Sequence, residues 1–185
     1  TRTTESTFDN ETITRTETVA VDLESEQKRI ETTNDTVGSN TTTVWNGTMV
    51  KTYDADENTV SEYEVTGTTL LPTLELLTNE TMLNYEYAGS ETINGEEMYV
   101  LEATPSEEMT GDTEASITVY LDTETHFPEK VEQQSETEDF EYSSTTTYEN
   151  TRLNGEIPDS TFDLDLPGDV EDLSEPTMPD ISEYE

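Results

Sequence analysis

Apolar residues recur along this chain with a period of two. From Ile13 to Leu23, the residues Ile13, Val19, Val21 and Leu23 share one parity, and Thr14, Thr16, Thr18 and Asp22 the other. Such alternation gives a strand one dry and one wet face. Ala115 to Asp122 repeats it most clearly: Ala115, Ile117, Val119 and Leu121 face one way, Ser116, Thr118, Tyr120 and Asp122 the other. Phe140, Tyr142 and Tyr148 alternate with Glu141, Thr147 and Glu149. Shorter strand-like runs cover 28–33, 41–45, 48–53, 59–65, 84–92, 97–104 and 128–135.

Turn chemistry separates these runs. Asn46-Gly47 and Asn94-Gly95 each sit between two of them. Asn-Gly accepts positive φ at both central positions, so a type I′ hairpin is expected at 46–47. Residues 54–58 and 122–126 are further turns, 105–113 an acidic loop, and 152–162 a closing loop or short strand. The period breaks once, between Leu70 and Leu83. Pro72 suits a first helical turn, and Leu70, Leu74 and Leu77 share a face. One short helix is expected there. Nine or ten strands with one internal helix describe a mainly β antiparallel meander. To hide its apolar face the sheet must curl into a half-barrel or barrel, or pack on another layer. The expected division is a β domain over 1–167 and an acidic, proline-containing tail over 168–185.

Composition changes this picture in one respect. Leu, Ile, Val and Phe make up 34 of 185 residues, and the net charge is −38. An apolar share below about 20 % with such charge normally means disorder. The period-two placement argues against it, and Thr, the commonest residue at 37 copies, is a good strand former. Forty-five acids against seven bases is tolerable where salt screens them, since at about 1 M the Debye length is roughly 3 Å. A hypersaline habitat follows as the expectation, with a small core whose stability depends on salt.

There is no Cys, hence no disulfide, thiol nucleophile or thiolate metal site. No apolar run reaches the roughly 18 residues of a membrane span. No signal peptide is visible, and a signal or membrane anchor upstream of residue 1 is expected. Sequons begin at Asn10, Asn34, Asn40, Asn46 and Asn79. They point to an exported, glycosylated surface protein, although a Thr-rich chain also produces sequons by chance.

Four segments occur in an order that resembles a known family. They are Val44-Trp45-Asn46-Gly47 with Tyr53-Asp54; the hairpin from Tyr87 to Leu101; Val119 to Lys130; and Thr147 to Asn150, followed by Ile157-Pro158-Asp159 and Phe162 to Pro167. Together they resemble the LolA/LolB-like periplasmic lipoprotein-carrier superfamily, which includes RseB-type stress regulators, over roughly residues 10 to 170. Within that superfamily the chain resembles a haloarchaeal branch of surface proteins. The resemblance implies a strongly curved, incomplete antiparallel barrel whose concave apolar face, covered by helices, holds acyl chains or another hydrophobic ligand. The family's N-terminal helix would precede residue 1. The ligand-binding face so implied is lined by Val19, Val21, Trp45, Leu74, Leu77, Ile117, Val119 and Leu121.

Other chemistry is sparse. His126, the one histidine, lies in an acidic turn and reads as a turn residue, because a base needs an oriented partner and a nucleophile. Asp54, Asp56 and Asn58 open like a calcium loop. Thr59 stands where that loop needs Gly, however, and Val65 where it needs Glu, so no metal site is assigned. No cofactor is expected. Nucleic acid is disfavoured by charge. Trp45 fits a pocket wall or ordinary core, and the leucines of 70–77 fit a gate or a plug.

Two functions remain. The first is a non-enzymatic, extracellular or surface-anchored binding protein for a hydrophobic ligand or lipidated protein. The second is a structural subunit of a surface filament or sheath, a homo-oligomer assembled through strand or tail exchange.

Overall fold

The structure is a computed structural model and describes residues 1–8, 11–34, 36, 38–65, 70–79, 81–106, 110, 113–137 and 140–174. Twelve strands among them form one open sheet. They are β1 (Arg2–Phe8), β2 (Glu11–Asp22), β3 (Gln27–Asn34), β4 (Ser39–Trp45), β5 (Met49–Asp54), β6 (Thr59–Glu64), β7 (Leu83–Ile93), β8 (Glu96–Pro105), β9 (Glu114–Asp122), β10 (Pro128–Glu136), β11 (Glu141–Tyr148) and β12 (Glu171–Asp172). The helix α1 is Pro72–Leu77, and a 3-10 turn spans Asp159–Phe162. The expected class, a mainly β, curved antiparallel sheet with one short helix, is the one found. Its strand count is twelve rather than nine or ten, because β1 and β12 carry no apolar alternation.

The strand order is β12-β6-β5-β4-β3-β2-β1-β11-β10-β9-β8-β7. Two meanders, β1–β6 and β7–β11, are zipped together where β1 pairs antiparallel with β11. The chain leaves β6 on one flank and re-enters at β7, the opposite edge. The connection carrying α1 must therefore cross the sheet.

That crossing shows which way the sheet bends. The Lys28 ammonium on β3 donates to the Leu70 carbonyl at 2.7 Å, and the Tyr85 hydroxyl on β7 donates to the Leu77 carbonyl. Seven inter-strand steps separate β3 from β7, about 34 Å on a flat sheet. The segment from 70 to 77 spans roughly 14 Å, mostly at the helical rise. Both strands reach it because the sheet curls toward α1, making that face concave.

The core occupies one flank of the concave face. Leu83, Ala103, Ile117, Val119 and Val131 form a buried cluster, and Leu76, Leu77, Tyr85, Leu101 and Leu121 pack against it. Trp45 and its register partner Val50 are buried on β4 and β5. Between them the face is polar. Hydroxyl pairs Thr4–Thr146 (3.1 Å) and Ser6–Ser144 (3.3 Å) tie β1 to β11, and Thr43–Thr52 (3.0 Å) ties β4 to β5. Buried Glu17 is bound by Arg2 and by Arg15, the latter at 2.8 Å. Behind the sheet the 3-10 turn packs on β3, burying Phe162, and Arg29 donates to the Asp163 carbonyl at 2.8 Å. The chain then adds β12 parallel to β6, with Glu171 N–H donating to Asn58 O and Leu173 N–H to Val60 O. The expected tail over 168–185 thus includes a short pairing on the sheet; its residues 175–185 lie outside the described residues.

The hairpin at 46–47 needs a correction. Gly47 has φ +90°, but Asn46 is not among the residues with positive φ. Trp45 pairs with Val50, which makes Gly47-Thr48 the centre of the loop, with glycine first as in a type II′ turn. The Asn46 side-chain oxygen accepts from the Met49 amide at 3.0 Å, so Asn46 caps the turn instead of forming its centre. At Asn94-Gly95 both φ values are positive and Ile93 pairs with Glu96, giving the type I′ geometry.

Candidate functional site

The start of β1, the end of β2, the start of β3 and the end of β11 border a cleft of about 850 Å³. The end of β2 supplies Val19, Val21 and Leu23, and the chain entering α1 supplies Leu70, Leu71 and Leu74. Phe127 and Tyr148 close another side, their rings edge-on at 5.5 Å. Residues 150–157, after β11, pass along the mouth. Asn150 and Asn154 take positive φ there, a conformation asparagine tolerates better than most residues. Leu23 and Leu153 are 66 % and 45 % exposed, so part of the apolar lining meets water. Cavities of about 300–1,000 Å³ are typical of small-molecule sites.

Of the eight residues expected to line a ligand face, Val19, Val21 and Leu74 are on the cleft wall. Ile117 and Val119 lie in the buried cluster, with Leu77 and Leu121 packed against it. Trp45 is 8 % exposed beside Val50, and its indole N–H has no partner among the described residues. The structure therefore brings three of the eight together at an opening.

Three basic residues also line the cleft: Arg2, Lys28 and Arg152. Burial lowers the Lys28 pKa below the usual lysine value, the Arg2 charge adds to this, and Glu17 opposes it. Asp22, Glu24 and Glu156 are the acids of the lining. The Asp22 carboxylate accepts from the backbone amides of Glu24 and Ser25; its pKa is lowered first by the Ser25 side chain and then by the Ser25 and Glu24 amides. Sequence reasoning passed over Lys28, Arg2 and Arg152. The available signal was scarcity, since with seven bases in the chain the position of each is informative.

The other candidates resolve into turns. His126 has φ +56°, its N–H donates to Asp122 O, and its ring stacks on Tyr99 with centroids 6.1 Å apart. The Asp54 carboxylate accepts from the amides of Asp56 and Glu57, while Asp56 accepts from Asn40. Among the described residues no three His, Asp or Glu side chains are grouped to hold a metal. Asn40 and Asn46 are exposed, Asn34 and Asn79 partly so, and Asn10 lies outside the described residues.

No protein-family model matches this chain, and no curated protein matches it by sequence. Solved structures do. An uncharacterized conserved protein from Thermus thermophilus superposes with a TM-score of 0.53 at 10 % identity, covering 95 % of this chain and 91 % of that one. Pseudomonas aeruginosa MucB in complex with MucA gives 0.45 at 13 % identity, covering 89 % of this chain and 55 % of that one. The Mycobacterium tuberculosis lipoprotein LppX gives 0.45 at 11 % identity, covering 83 % and 87 %. The Thermus likeness is one of fold, and the other two, below 0.5, add nothing to it.

Proposed function

We propose that this chain is a non-enzymatic binding protein that holds a hydrophobic ligand, or the lipid chain of a lipidated protein, in the cleft at the concave rim. One observation carries the reading: a cleft of about 850 Å³ walled by Val19, Val21, Leu70 and Leu74 in a chain with so few apolar residues. Holding an apolar wall open to solvent costs free energy, roughly 25 cal/mol per Å² of apolar surface left uncovered. A ligand that covers it recovers that term. The family resemblance supports the same reading. The net charge of −38 and the sequons support a place on the outside of a cell in brine.

Titration with a fluorescent acyl probe in molar salt tests it. Wild type should saturate at one probe per chain, and Val21→Trp or Leu74→Trp should weaken binding by intruding on the apolar wall. A wild-type protein that binds no apolar probe would end the proposal. The filament reading has less support, because the first part of the tail expected to exchange pairs with β6 of its own sheet.

A further inference from the structure

The seven bases of this chain are not spread evenly over its acids. Five form ion pairs: Arg2 and Arg15 with Glu17, Arg29 with Glu31, Lys51 with Glu62, and Lys130 with Glu132. The other two, Lys28 and Arg152, have no carboxylate partner among the described residues, and both line the cleft. In a chain with 45 acids, a cation without a carboxylate is the exception.

The surroundings of Lys28 sharpen this. Its ammonium has three donors and a single recorded partner, the neutral Leu70 carbonyl at 2.7 Å. The acid whose charge acts on it, Glu17, is already held by two arginines. One carboxylate therefore faces three cations: Arg2, Arg15 and Lys28. This corner is positive inside a molecule of net charge −38. A partly buried ammonium beside a guanidinium, without a counter-ion, is an unfavourable arrangement that an incoming anion relieves. The lining acids do not supply that counter-ion. Asp22 is turned into its own turn, and Glu24 and Glu156 are exposed at the rim.

We propose that the ligand of this cleft is an amphiphile with an anionic head, a carboxylate or phosphate on an acyl chain, and that Lys28 and Arg152 receive the head while Val19, Val21 and Leu74 receive the chain. This rests on the hydrophobic-ligand reading above and adds the charge of the ligand to it. A purely apolar ligand would leave both cations as they are. A small free anion would leave the apolar wall uncovered. Molar salt screens the repulsion between the acidic surface and an approaching anion, since the Debye length falls to about 3 Å at 1 M. Contact with Lys28 and Arg152 survives, because the pair is then closer than the screening length.

The test compares a long-chain carboxylate with the alcohol of the same chain by calorimetry in molar salt, with inorganic phosphate as a third probe. The carboxylate should bind at least tenfold more tightly than the alcohol, and phosphate should not displace it. Arg152→Gln removes an exposed side chain with no partner among the described residues, so it should fold normally; it should cut the acid-to-alcohol preference several-fold. Lys28→Met combined with Arg152→Gln should bring the ratio near one, and Lys28→Arg should keep most of it. Lys51→Gln, which alters a paired base outside the cleft, should leave the ratio alone. Equal binding of acid and alcohol by wild type would overturn the anionic head and leave the hydrophobic-ligand reading standing. Binding of neither would overturn both. Displacement of the carboxylate by phosphate alone would show a free-anion site and overturn the lipid form of the proposal.

Discussion

The ammonium of Lys28, on β3, hydrogen-bonds the carbonyl of Leu70, in the chain that crosses the concave face toward β7. A single base thus couples the sheet to the segment that walls the cleft. Lys28→Met should loosen that segment. The amides of Glu75 and Thr78, which donate to Leu71 and Leu74, should exchange several-fold faster, while amides in the β9–β10 ladder keep their protection. Hydrogen exchange at molar salt measures this, and unchanged rates at both helix amides would refute the coupling.

Two leucines separate core from cleft. Leu83 is 2 % exposed within the packed cluster, and Leu23 is 66 % exposed at the mouth. Leu83→Ala should cost about 2–5 kcal/mol by removing buried methyls and leaving a cavity. Leu23→Ala should stay within about 0.5 kcal/mol. Denaturant melts of the two variants check the contrast.

Glu17 is 3 % exposed and depends on Arg2 from β1 and Arg15 from its own strand, with the Thr32 hydroxyl donating at 3.4 Å. Replacing both arginines with glutamine leaves the buried carboxylate without an ion-pair contact, with only the Thr32 hydroxyl and the charge of Lys28 to hold it, at a cost of about 3–5 kcal/mol. Adding Glu17→Gln should restore much of that loss. Such rescue is the signature of one coupled cluster, read from unfolding free energies of the single, double and triple variants.

Tyr120 lies behind the sheet with its pKa pushed up to about 12, first by burial, then by the hydrogen bond to Glu132 and the charges of Glu132 and Glu91. An unfolded tyrosine ionises near 10. The folded state therefore holds its proton longer than the unfolded one. Stability from this group is complete below pH about 10 and is lost as pH rises toward about 12. Ultraviolet titration against Tyr120→Phe isolates the late phenolate, which matters because burial also raises Tyr85. Glu132→Gln should bring the transition down.

Salt should act on the whole molecule. With 45 acids and seven bases, self-repulsion opposes the compact state until it is screened. The melting temperature should climb steadily between about 0.1 M and about 3 M salt as the Debye length shrinks from roughly 10 Å to below 3 Å. A flat profile would refute the hypersaline expectation.

Strands with a dry face were legible because alternation survives in their residues. Ile117, Val119 and Leu121 announce β9, and Val19 and Val21 announce the end of β2. β1 was not legible. Arg2–Phe8 is polar on both faces and sits mid-sheet because hydroxyls of Thr4 and Ser6 bond Thr146 and Ser144 across the β1–β11 seam. No local pattern encodes a partner so distant in the chain. β12 was hidden for a related reason: two acidic residues in a proline-bearing stretch pair with β6 because Asn58 and Val60 offer carbonyls there.

The sequence by itself determined the class of the fold, the short helix and the acidic character, since each follows from period, turn chemistry or composition, which are local or additive. It also supplied Val19, Val21 and Leu74 as ligand-facing candidates, though not their separation from Ile117 and Val119. Only the tertiary structure decided which apolar residues fill the core and which line an opening. That depends on where α1 lands after crossing from β6 to β7, and on how far the sheet curls to meet it. The same curl sets Lys28 near Arg2 and Glu17 and brings the 150–157 segment, with Arg152, to the mouth of the cleft. Charge placement of this kind arises from contacts between distant strands, and no window along the chain contains it.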